Sequence, residues 1–187
     1  MIRLLLPVLL FGAAPAAPAA DMRPADPVLR TLLEGEAARA SGNHAALLDT
    51  VQALRALGAT PAEGQEDLAA RWTSEAQAHG AVASALTFRG RALGPAYRHG
   101  SLVPGGSMTM RQLFLGGQRA QISVAPATGN ATNLSVRVHG ADGETLCAKP
   151  VGEGQVDCAW LPIFTDRYDI IIENGGKAAV GFYLIMR

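Results

Sequence analysis

The chain has 187 residues, 49% of them apolar and 17% charged, which is enough for a packed core and excludes a disordered polypeptide. Its 16 Lys and Arg balance 16 Asp and Glu, so the cationic surplus of a dedicated nucleic-acid binder is missing. The two cysteines exclude a disulfide-dense miniature scaffold and a four-cysteine zinc site.

Residues 1–20 read as a secretory signal peptide. Arg3 supplies the positive start, Leu4 to Ala14 the apolar run, and Ala17-Pro18-Ala19 a small-residue cleavage pattern. The run falls short of the roughly 20 residues of a spanning helix. The expected product starts near Ala20 or Asp21, is periplasmic or secreted, and has no stable membrane insertion after cleavage.

Residues 21–88 read as a helical segment of three helices. Asp26-Pro27 offers an N-cap and a first-turn proline, and Val28, Leu29, Leu32, Leu33 and Ala37 form an apolar stripe. Gly42 ends this helix and Asn43 caps the next, which carries Leu47, Leu48, Val51, Leu54 and Leu57 and stops at Gly58. Thr60-Pro61-Ala62-Glu63 reads as a capping box. Leu68, Trp72, Ala76, His79, Val82 and Leu86 follow at helical spacing, so His79 is expected in the core.

Residues 89–107 are rich in glycine and contain Pro95 and Pro104; with no clear period, they read as a linker. Arg89, Arg91, Tyr97, Arg98 and His99 form a basic cluster there. Its chemistry suits ligand binding to anionic polymer or to a partner's carboxylates, but a solvated linker or internal pairing with Asp or Glu is the more ordinary reading of such a cluster.

Past the linker the period becomes two. Gln121 to Val124 alternates, as does Asn133 to His139, with Asp142-Gly143 as a turn. Arg167 to Ile172 is β-rich, Asn174-Gly175-Gly176 turns, and Val180 to Met186 closes the chain. Short strands punctuated by turn residues predict an antiparallel sandwich over residues 108–187. The fold class is therefore α+β, a helical segment followed by a β-sandwich of jelly-roll type. In an exported protein Cys147 and Cys158 are expected to pair, across a hairpin whose loop contains Pro150, Gly152 and Gly154. Trp160, two residues past Cys158, shares its face and is expected to pack over the bridge with Phe164 nearby.

Residues 113–184 resemble the bacterial pre-peptidase C-terminal domain, a small jelly-roll-like sandwich appended to exported proteins. The matching pieces are Leu115-Gly116-Gly117-Gln118, Leu134-Ser135-Val136-Arg137-Val138 leading to Asp142-Gly143, and Tyr168-Asp169-Ile170-Ile171-Ile172 with Asn174-Gly175-Gly176, closing on Tyr183-Leu184. The long acidic turns with which such domains bind calcium are missing, so no metal is expected.

Catalytic signatures are sparse. There is no G-x-S-x-G elbow and no phosphate-binding loop, and His44, His79, His99 and His139 are scattered. No cofactor is expected and no catalytic residue is assigned. The reading is an exported envelope protein acting as a non-enzymatic binding module for a protein or a polysaccharide. A small envelope hydrolase with an acidic site on the sandwich loops is the alternative, and an export-linked folding helper a third.

Overall fold

A computed structural model describes residues 24–82, 94–128, 133–152 and 154–187. Three helices, α1 (Pro27–Ala40), α2 (His44–Ala56) and α3 (Leu68–Ala78), are interrupted by a two-residue strand, β1 (Thr60–Pro61). Eight strands follow: β2 (Ala96–Leu102), β3 (Ser107–Phe114), β4 (Ala120–Pro126), β5 (Leu134–His139), β6 (Thr145–Pro150), β7 (Val156–Trp160), β8 (Asp166–Asn174) and β9 (Val180–Met186). They form a five-stranded sheet ordered β1-β2-β9-β4-β7 and a four-stranded sheet ordered β3-β8-β5-β6. Apart from the parallel β1–β2 pair, every pairing is antiparallel. The α+β class and the sandwich of jelly-roll type are as the sequence implies.

Two cores share the five-stranded sheet. Between the sheets lie Ile122, Val124, Val136, Val138, Ile170, Ile172, Phe182 and Leu184. On the outer face of the five-stranded sheet, Leu29, Leu32, Leu47, Leu54 and Trp72 pack on Tyr97, Ala125, Tyr183 and Ile185. β9 thus buries both faces, and its run Phe182-Tyr183-Leu184-Ile185 is apolar throughout because both sides are covered. The helices form a third layer. Their ends are capped as their sequences imply: Asp26 accepts from the N–H groups of Val28 and Leu29 at 2.8 and 3.1 Å, and Asn43 from that of Ala46 at 3.1 Å.

The structure corrects four local expectations. Thr60-Pro61 is extended, not capping: the Thr60 N–H donates to the Pro95 carbonyl and the Ala62 N–H to the Tyr97 carbonyl, so β2 claims these backbone groups. Asp67 caps α3 instead, accepting from the Ala70 N–H at 3.1 Å. Because α3 stops at Ala78, His79 is an exposed cap residue stacked on His44 at 4.1 Å, not a core side chain. Val82 is exposed, and Leu86 lies outside the described residues. The glycine-rich stretch read as a linker contains β2, which pairs with β9 along its whole length. Its Gly100 is there for close approach, since a Cβ would stand 2.5 Å from the Phe182 ring.

The fourth correction concerns the cysteines. Cys147 and Cys158 are bonded, with Cα atoms 5.9 Å apart. They do not share a hairpin: β6 is an edge of the four-stranded sheet and β7 an edge of the five-stranded one. The bridge therefore ties the two sheets together along one side of the sandwich.

Candidate functional site

The expected basic cluster does not form one surface among the described residues. Arg89 and Arg91 lie outside them. Tyr97, Arg98 and His99 occupy β2, where strand alternation sends neighbours to opposite faces. Tyr97 is buried under the helices; its hydroxyl accepts from the Leu68 N–H at 3.1 Å and contacts Asp67 at 3.4 Å. Burial, with the Asp67 carboxylate beside it, pushes this phenol up to about 12. His99 sits on the same face, its ring 4.9 Å from that of Tyr183, and its desolvation lowers its pKa. Arg98 points the other way, toward Met108.

A second polar group lies between the helices and the sheet. The Tyr183 hydroxyl donates to Glu36 at 2.7 Å. Glu36 also faces Arg39 at 3.5 Å and Arg71 at 3.9 Å, while Arg39 pairs with Glu75 and Arg71 with Glu66. Its charges are mutually paired, and it fastens α1 and α3 to β9.

The end of the sandwich where β3 leads into β4 and β7 into β8 is different. The two loops lock together through backbone. The Gly117 N–H donates to the Pro162 carbonyl at 2.8 Å, and the Gly116 N–H to the Thr165 hydroxyl at 3.0 Å. A Cβ on Gly116 would stand 2.8 Å from the Phe164 carbonyl carbon, so only glycine lets the loops meet this closely. Pro162 is buried in the joint. Its neighbours are not: Leu161 is 65%, Ile163 82% and Phe164 77% exposed. Of the seven large apolar side chains left exposed among the described residues, five (these three with Leu113 and Leu115) sit in or beside the two loops. That concentration differs from the scattered single exposures of an ordinary surface.

Beside the loop lies a groove of about 330 Å³. Its apolar floor is Leu146, Trp160 and Tyr168, and its rim carries Asp142, Glu144 and Asp166. The Trp160 indole is engaged from within the protein: Phe114 meets it at 4.9 Å, near-perpendicular, and Tyr168 at 5.4 Å. Trp160 therefore packs on Phe114 and Tyr168, whereas Phe164 stands in solvent. Asp142 accepts from the Glu144 N–H at 3.1 Å, and Asp166 from the Arg167 N–H at 2.7 Å. Asp142 thus holds a turn and Asp166 the start of β8, while both lend negative charge to the groove.

The exposure of Leu161, Ile163 and Leu115, and the gathering of Asp142, Glu144 and Asp166 on one rim, are not legible in the sequence. Apolar residues in a β-rich stretch read as core, and only the tertiary arrangement shows which ones are left out. The one local signal was Pro162, which breaks the strand amid four apolar residues.

No family model matches this chain, and neither does any curated protein. Solved structures do. The pre-peptidase C-terminal domain of collagenase from Bacillus anthracis is 12% identical, with a TM-score of 0.43, covering 49% of this chain and 88% of that one. A periplasmic inhibitor of g-type lysozyme from Aeromonas hydrophila is 19% identical, with a TM-score of 0.34, covering 49% of this chain and 83% of its own. A family 16 carbohydrate-binding module is 13% identical, with a TM-score of 0.30, covering 45% of this chain and 70% of its own. The first of these is a pre-peptidase C-terminal domain, the kind of domain that the strand and turn motifs resemble; each likeness covers about half of this chain.

Proposed function

We propose that this protein is an exported, non-enzymatic binding module of the bacterial cell envelope, whose ligand is an envelope protein or polysaccharide met at the loop end of the sandwich. The observation that carries this is the outward projection of Leu161, Ile163 and Phe164 from a backbone-locked loop beside a groove. Leaving such side chains in water forgoes about 1.5 to 3 kcal/mol of burial each, which a bound partner recovers. The rigid frame beneath them limits the ordering cost on association. Export is supported by the leader-like residues 1–20 and by the Cys147–Cys158 bond, which belongs to an oxidising compartment. No helix among the described residues is long and apolar enough to cross a membrane.

The test is cosedimentation of purified protein with isolated bacterial envelopes. Wild type is expected in the pellet, with the Ile163→Ser/Phe164→Ser variant retained at least several-fold less. Equal retention of the two would overturn the assignment of this end as the binding face.

A further inference from the structure

The ligand class at this face can be taken further, on the premise that the face binds at all. Three features bear on it. The groove rim carries Asp142, Glu144 and Asp166, and no basic side chain lines the groove. Asp166 and Tyr168 share one face of β8, while Arg167 between them faces away. The rim is therefore a one-sided negative field over an apolar floor, complementary to a cationic group.

The second feature is the kind of apolar surface on offer. Leu161 and Ile163 are branched aliphatics, and they project with Phe164. Sugar rings are gripped by flat aromatic faces; the indole of this groove is already packed against Phe114 and Tyr168, and the exposed ring of Phe164 stands among aliphatic side chains rather than beside a second free ring. An exposed apolar patch rimmed by polar groups suits another protein's surface, with aromatic Phe164 as the central anchor. The third feature is negative charge as such. A loop meant to enter an anionic bilayer surface is normally flanked by a cluster of Lys and Arg, whereas the groove side of this one carries Asp142, Glu144 and Asp166, with Arg119 in the β3–β4 loop and Arg167 on the opposite face of β8.

We infer that the groove and loop take a protein segment carrying Lys or Arg beside a large apolar side chain: Ile163 and Phe164 seat in the partner while its cation reaches Glu144, Asp142 and Asp166.

Purified protein is panned against random short peptides displayed on phage, and probed in parallel with a glycan array and with anionic phospholipid vesicles. Enriched peptides are expected to place Lys or Arg next to an aromatic or aliphatic residue. Their affinity should fall about tenfold or more with Phe164→Ser, about threefold with Glu144→Gln, and further as salt is raised. Peptides without basic residues, or basic ones indifferent to Phe164→Ser, overturn the inference. So does a glycan or vesicle signal that Phe164→Ser removes without any such peptide, although the binding face then stands. Silence from all three probes overturns the binding face as well.

Discussion

The carboxylate of Asp26 and the guanidinium of Arg187 form an ion pair that joins the start of α1 to the last residue of the chain. The same carboxylate caps α1, and the Asp26 N–H donates to the Gln155 side chain at 2.8 Å. One buried aspartate thus fastens the helical layer to β9 and to the connection between β6 and β7. Burial works against its charge, but the Arg187 hydrogen bond and the two backbone N–H groups prevail and hold its pKa below the usual 3.8. The charged form is therefore favoured in the folded state, so its contribution is complete above the unfolded pKa, about 4, and is lost as pH falls through the folded value. Asp26→Asn keeps the cap and removes the charge. The stability gap between wild type and Asp26→Asn, measured by urea unfolding, should be constant near neutrality and begin to narrow only below about pH 4. Asp26→Ala removes the cap too and should cost about 1 to 2 kcal/mol beyond Asp26→Asn.

Gly35 lies in α1 directly over Trp72. A Cβ there would stand 2.4 Å from the ring of a side chain that is fully buried. On an exposed helix face Gly→Ala gains about 1 kcal/mol. Here overpacking costs about 1 to 3 kcal/mol, and the indole has nowhere to go. Gly35→Ala should therefore destabilise the protein by about 1 kcal/mol or more in chemical denaturation; a rise in stability would show that the helical layer does not pack on Trp72 as described.

The Cys147–Cys158 bond closes a short loop, with 11 positions separating the cysteines, and it ties two sheets rather than two neighbouring strands. Chain-entropy reasoning gives about 3 kcal/mol for a loop of this size. Replacing both cysteines with alanine should lower stability by about 2 to 4 kcal/mol, and a reductant should lower the wild-type Tm while leaving that of the double variant unmoved.

Much of this architecture can be read directly from residues. Asp26-Pro27 marks a helix start, and the alternation of Leu134 to His139 marks a strand with one buried face. Other parts are hidden for definite reasons. β2 is masked because Gly100 yields its space to Phe182, so a strand takes on the composition of a linker. A hairpin and a crossover between sheets need the same stretch of chain between Cys147 and Cys158, and spacing cannot separate them. The double-sided burial of β9 is written in its unbroken apolar run, but its helical cover becomes evident only once Tyr183 and Ile185 are seen against Leu29 and Trp72. The candidate site is the least legible part, since an apolar side chain left outside the core has the same identity as one placed within it.

Phe164 touches solvent more than protein, so Phe164→Ser should change unfolding free energy by no more than about 0.5 kcal/mol while impairing envelope association. A loss of stability of several kcal/mol would identify Phe164 as a structural residue instead.

On the proposed function, the partner sits at the end of the sandwich that bears Ile163. Val103 offers a matched control: it is also apolar and exposed, in the turn after β2 that bonds to Asn174 at the opposite end of β8. A photoreactive benzoylphenylalanine placed at each position in turn, and irradiated in living cells, measures this directly. A discrete higher-mass adduct is expected from position 163 and none from position 103. Adducts of equal yield from both positions, or from position 103 alone, would contradict this placement of the partner.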